Sequence, residues 1–136
     1  MDERILKAVS RHKPIPHEAN EQTALFNWAF LSRGKYPELD LLYHIPNGGS
    51  RNLLEAANLK RQGVKAGVPD ICLPVARGGF HGLYIEMKAG NNKTTDKQNK
   101  WLADLNAQGY CTAVCYNWQE AKELLENYLK SGVKTK

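Results

Sequence analysis

Two short apolar runs, each carrying acid at one end, constrain this chain more than any other feature. The first is Asp70-Ile71-Cys72-Leu73-Pro74-Val75 and the second is Leu83-Tyr84-Ile85-Glu86-Met87-Lys88. Gly78-Gly79 lies between them and signals a turn. The pattern predicts two neighbouring strands, with Asp70 opening one and Glu86-x-Lys88 closing the other. Side chains alternate along a strand, so Leu83, Ile85 and Met87 point one way and Tyr84, Glu86 and Lys88 the other. The two carboxylates and the ammonium are thereby brought to neighbouring strand ends.

Helical signals surround this pair. Residues 2–9 predict a short helix with Ile5, Leu6 and Val9 on one side, and 11–17 a proline-containing connector. Residues 18–33 predict a longer helix on which Glu21, Leu25 and Trp28 share a face. Residues 41–45 predict a short strand, followed by the turn Pro46-Asn47-Gly48-Gly49. Asn52 with Glu55, Thr95 with Gln98, and Asn117 with Glu120 are spaced as helix starts. The helices they open end near Gly63, Gly109 and the 130–136 tail. Trp101, Leu102 and Leu105 are expected to face inward on one. Ala121, Leu124, Leu125 and Tyr128 form the apolar stripe of the last. Residues 110–115 predict another strand. The order α-β-α-β-β-α-β-α implies an α/β fold, a mixed central sheet flanked by helices. Residues 1–136 form one domain, with 1–17 as an N-terminal extension.

The chain carries a formal charge of +5. Residues 44–69 hold Arg51, Lys60, Arg61 and Lys65 against Glu55; residues 87–100 hold Lys88, Lys93, Lys97 and Lys100 against Asp96. Both clusters flank Asp70 and Glu86, an arrangement suited to a polyanion. No run approaches the ~20 apolar residues of a membrane span. The N-terminus lacks the apolar core of a signal peptide, so a cytoplasmic location is expected. Cys72, Cys111 and Cys115 show no metal-ligand spacing and suit core packing in a reducing compartment.

Two carboxylates at adjacent strand ends suit Mg²⁺ or Mn²⁺, which bind few protein oxygens and keep several waters. The Met87 carbonyl, between Glu86 and Lys88, is an added ligand candidate. Lys88 near two carboxylates stays protonated and suits an electrostatic clamp better than a general base. A simple Glu86–Lys88 ion pair on a solvated strand face is the competing explanation, as is a turn-capping role for Asp70. Glu21 on an inward face calls for a partner or a metal, with Glu18 as its rival and helix-dipole stabilisation as the alternative. Gln98 either caps its helix, orients water or phosphate near Lys88, or does both. His44, Asn47, Gly48, Gly49 and Arg51 cluster at a strand-to-helix turn, where glycines and free N–H groups favour phosphate. With Lys60 and Lys65 they are the candidates for contacts to the phosphates of a polyanion.

The ordered set His44-Ile45-Pro46-Asn47-Gly48-Gly49-x-Arg51, Leu59-Lys60-x-x-Gly63-Val64-x-x-Gly67-x-Pro69-Asp70, Ile85-Glu86-x-Lys88 and Thr95-x-x-Gln98-x-x-Trp101 resembles the virus-type replication-repair nuclease (VRR-NUC) domain. That family belongs to the PD-(D/E)xK nuclease superfamily. The resemblance spans about residues 18–115 and implies a restriction-endonuclease-like core. It implies that Asp70, Glu86 and Lys88 are catalytic, that Glu21 is the acidic residue of the first helix, and that Gln98 is the polar residue following the motif. It also implies a homodimer acting on branched DNA such as four-way junctions, as stand-alone members do, whereas longer relatives act on flaps. Ile5-Leu6-Val9 and Leu124-Leu125-Tyr128 are the candidate pairing surfaces, unless both pack on the core. The expectation is therefore a Mg²⁺- or Mn²⁺-dependent, homodimeric DNA endonuclease of phage or bacterial replication and repair, with no organic cofactor. A nicking or end-trimming nuclease, or a non-catalytic DNA-binding module, are the alternatives.

Overall fold

The computed structural model describes residues 17–46 and 52–132. The elements are α1 (His17–Leu31), a 3₁₀ helix (Pro37–Leu41), β1 (Tyr43–His44), α2 (Leu53–Arg61), β2 (Ile71–Leu73), β3 (Leu83–Met87), α3 (Asp96–Ala107), β4 (Cys111–Cys115) and α4 (Trp118–Lys130). The helix expected over 2–9 lies outside the described residues. The four strands lie in the order β1-β2-β3-β4. The first two pairings are antiparallel and β3–β4 is parallel. The sheet is therefore mixed, and the class is the α/β arrangement expected.

Local chemistry explains the boundaries. The side chains of Asn52, Thr95 and Asn117 each accept from the N–H three residues on, which starts α2, α3 and α4. β2 ends earlier than expected because Pro74 has no N–H to donate. Val75 N–H instead turns back to the Leu73 carbonyl (2.9 Å). β1 is only two residues long, because Pro37 opens a 3₁₀ turn that takes up Leu41.

Ile71, Leu73, Leu83, Ile85 and Met87 all face one side and are almost fully buried. They meet Leu25 and Ala29 of α1 and Ala121, Leu125, Tyr128 and Leu129 of α4. Tyr128 Oη donates to the Val75 carbonyl at 2.6 Å, which satisfies a buried polar group. The apolar stripe of α4 is thus consumed by the core, with Leu124 packed at its edge. Leu124-Leu125-Tyr128 is therefore core and not a pairing surface; the other candidate, Ile5-Leu6-Val9, lies outside the described residues. Cys72 and Cys115 are buried and Cys111 is half-buried, all three as free thiols. Burial, aided by the charge of Glu120, pushes the Cys115 thiol up to about 11, so it is inert packing.

The opposite face of the sheet carries Cys72, Tyr84 and Glu86, by strand alternation. It is covered in part by α3, through Gln98. Trp101, Leu102 and Leu105 are only half-buried there, and none of the α3 residues is buried. The expectation that they face a closed core is not met, because no further helix seals this side among the described residues.

Candidate functional site

Asp70 stands immediately before β2, after a fully buried Pro69. Its backbone carbonyl accepts from Ile45 N–H (2.6 Å) and is bonded to His44 Nδ1 (2.8 Å). A carbonyl can only accept, so His44 carries a proton on Nδ1. The Asp70 side chain turns the other way: Oδ2 accepts from Met87 N–H at 2.9 Å. One residue thus ties β1, β2 and β3 together. Its carboxylate orientation is set by a backbone donor, a fixed group.

Glu86 is the fourth residue of β3. The register pairs Ile71 with Ile85, and one step outward sets Asp70 opposite Glu86. Cross-strand partners share a face, so the two carboxylates project to the same side of the sheet. Glu86 is buried, at 3% exposure. Its Oε2 accepts from Gln98 Nε2 at 3.3 Å.

Gln98 fulfils both roles its position suggests. Its Oε1 accepts from Thr95 N–H (2.9 Å), while its own N–H donates to Thr95 Oγ1 (3.2 Å). This closed capping box assigns the amide oxygen, since only oxygen can accept from Thr95 N–H. The NH₂ group is therefore the end that meets Glu86.

Lys88 follows two residues after Glu86 on the same face, at 9% exposure. Its backbone N–H donates to the Cys115 carbonyl at 2.9 Å, extending the β3–β4 ladder. The plain alternative for Glu86 and Lys88 is an ion pair on a solvated strand face. Both residues are instead withdrawn from water. Taking charges out of water is costly and is repaid only by further charges or donors of the right kind. Two carboxylates and an ammonium on one face at one sheet end, with Glu86 and Lys88 buried and Asp70 half-buried, suit a cation and a phosphate better than they suit a surface pair.

Glu21 is placed differently. Its Oε1 accepts from Trp118 N–H at 3.2 Å, at the first residue of α4. The helix N-terminus accounts for this half-buried carboxylate without a metal. Among the described residues no three of His, Cys, Asp and Glu converge as a metal-binding group. The oxygens that fit a divalent cation are those of Asp70 and Glu86, with the Met87 carbonyl next in the chain. Two carboxylates on one face are the chemistry of hard-cation sites and suit a divalent metal.

Of the phosphate-contact candidates, Asn47, Gly48, Gly49 and Arg51 lie outside the described residues. His44 is exposed beside Asp70. Lys60, in the last turn of α2, and Lys65, in the following loop, line a cavity of about 550 Å³ together with Lys97, Lys100 and Trp101 of α3. The sequence predicts an inward Trp101; in the structure it lines this groove. The signal for the groove is present in the spacing: Lys97, Lys100 and Trp101 fall at i, i+3 and i+4, one helical face.

The chain matches the VRR-NUC domain over residues 2–130. A solved structure described as a VRR_NUC domain protein resembles it with a TM-score of 0.73 and 36% identity, over 89% of this chain and 93% of that one. No curated protein matches the chain. That family implies a nuclease of the PD-(D/E)xK type, which is the chemistry two carboxylates and a lysine at one strand end would serve. The chain belongs to the VRR-NUC domain family.

Proposed function

We propose that this chain is a Mg²⁺- or Mn²⁺-dependent DNA endonuclease selective for branched DNA, with Asp70, Glu86 and Lys88 as catalytic residues. The observation that carries the reading is the cross-strand pair Asp70–Glu86 with the nearly buried Lys88 on the same face. A divalent cation held by Asp70, Glu86 and the Met87 carbonyl would neutralise charge developing on the phosphate and make water more acidic. The protein's own contribution is positional. Met87 N–H fixes the Asp70 carboxylate, and Gln98 Nε2 holds Glu86 in one rotamer. Lys88 places its ammonium against a phosphate oxygen or the incoming nucleophile, where fixed charge needs no reorganisation during reaction. Glu21 serves the site at a distance, by holding the start of α4.

Branch selectivity and a homodimer are proposed together. A four-way junction has two symmetric scissile strands, and this domain has one such site. Paired incision then requires two copies, for which a two-fold dimer is the commonest solution. None of the described helices is long and apolar enough to cross a membrane.

Supercoiled, linear and four-way-junction DNA assayed side by side will test this. Cleavage is expected in Mg²⁺ and Mn²⁺, strongest on the junction, and absent in EDTA. Ca²⁺ prefers more ligands at longer distances, so binding without turnover is expected there. Light scattering should give twice the chain mass. Equal turnover in Ca²⁺ would rule out this site, whereas a monomer that only nicks would favour the nicking or end-trimming reading. Junction binding without cleavage in any metal would identify a binding module.

Lys60 and Lys65 are proposed as backbone contacts. Lys60→Ala and Lys65→Ala should each weaken DNA binding uniformly across sequences. Each should also flatten the dependence of log K on log salt by roughly one, the share of a single neutralised phosphate. An unchanged salt slope would return these residues to ordinary solvated surface.

A further inference from the structure

The groove between α2 and α3 combines an apolar floor with a cationic rim. Its floor is apolar: Leu59 and Val64 on one wall, and Trp101 on the other. Its rim is cationic: Lys60 and Lys65 face Lys97 and Lys100. A second cavity of about 460 Å³ shares Lys65, Lys100 and Trp101 and continues along α3 past Leu105. The one acid lining this continuation, Asp104, is already bonded to Lys100 at 2.7 Å. Gln98, one residue from Lys97, touches Glu86. The groove therefore begins beside the site and runs away from it.

Double-stranded DNA cannot use such a floor, because its bases are stacked on each other and only its phosphates reach the rim. An unpaired nucleotide matches both parts. Its base is flat, apolar on its faces and able to stack on an indole, and its phosphate is anionic. We infer that the α2–α3 groove binds an unpaired nucleotide of a DNA substrate, with the base stacked on Trp101 and the flanking phosphates held by Lys60, Lys65 and Lys97. This rests on the nuclease reading only in taking DNA as the ligand. It adds a specificity determinant, Trp101, that senses single-stranded character next to the cut.

The test is binding in EDTA, which separates it from cleavage. Three probes of one sequence suffice: a blunt duplex, the same duplex with a short single-stranded tail, and the tailed duplex with abasic tail positions. Wild type should bind the tailed duplex about tenfold more tightly than the blunt one, the size of one base–aromatic stack. Trp101→Ala should erase that preference and leave blunt-duplex affinity unchanged, whereas Trp101→Phe should retain most of it. The abasic tail should behave like no tail. A 2-aminopurine in the tail should be quenched on binding wild type, a readout independent of any variant's folding. An abasic tail bound as well as the intact one, an unquenched probe, or equal weakening of both duplexes in Trp101→Ala would overturn the proposal. So would conversion of a dimer to a monomer by Trp101→Ala with the tail preference intact, since a second copy would then be the occupant. Tail preference without cleavage in Mg²⁺ would count against the nuclease reading and leave the groove standing; cleavage without tail preference would do the reverse.

Discussion

Asp70→Asn and Glu86→Gln are each expected to lower cleavage by roughly 10³-fold or more, the loss of several kcal/mol of charge stabilisation at the phosphate. Neither change should unfold the protein. Asn at 70 retains an oxygen for Met87 N–H, and Gln at 86 retains one for Gln98 Nε2. The two carboxylates share one face and repel each other without a cation between them. Removing one charge should therefore leave the melting temperature in EDTA unchanged or raised. What should vanish is the added stability on titration with Mn²⁺, which for wild type grows as RT ln(1 + [L]/Kd). Lys88→Ala should also abolish turnover while preserving that metal-dependent gain, because it supplies no ligand oxygen. Melting curves with and without Mn²⁺, set beside cleavage rates, separate the roles. A carboxylate variant that cuts at the wild-type rate would remove Asp70 and Glu86 from the chemistry.

Gly67→Ala is expected to damage both stability and activity, and Gly63→Ala to damage stability alone and less. Both glycines adopt positive φ, +104° at Gly63 and +90° at Gly67, so alanine is strained at each. Only Gly67 also meets a neighbour. A Cβ there would lie 2.9 Å from Lys97 Cβ and 3.0 Å from the Lys97 carbonyl carbon. Backbone cannot yield cheaply, so α3 or the 63–69 loop must shift. The expected cost is about 1–3 kcal/mol from strain and overpacking. Asp70 lies three residues after Gly67 and Gln98 one residue after Lys97, so the shift separates the residues that frame the site. A misplacement of ~1 Å can cost about 10²-fold in rate. Thermal melts and single-turnover cleavage of both variants would check this. Equal behaviour of the two would show that the close approach at Gly67 has no bearing on the site.

The parts of this fold legible in the sequence are those encoded locally. Asn52, Thr95 and Asn117 announce helices because a short side chain satisfying a free N–H is a contact within three residues. The pairing of Asp70 with Glu86 is legible because strand alternation and a Gly-Gly turn leave few registers. Less legible is anything decided by distant neighbours. Pro37 opens a 3₁₀ turn that shortens β1, although 41–45 has the pattern of a strand. Trp101, Leu102 and Leu105 have the spacing of a core stripe. Whether such a stripe is sealed depends on what lies opposite, and periodicity is silent on that. Glu21 is a case of the same kind: an inward carboxylate needs a partner, and although Asn117 marks the start of α4, nothing in the sequence places that start beside Glu21.

The two ends of the Gln98 amide are committed to different structures: the oxygen closes the first turn of α3, and the nitrogen clasps Glu86. Helix ends ordinarily fray, each on its own and at small cost. Here melting the first turn of α3 would free the Gln98 amide from Glu86, and the bond to Glu86 in turn helps hold the capping side chain in place. Local breathing of the helix and disorder of the site are thus coupled. A ligand that orders the carboxylates would in the same act tighten the helix carrying Lys97, Lys100 and Trp101, so that chemistry at the strand end and grip along the groove strengthen together.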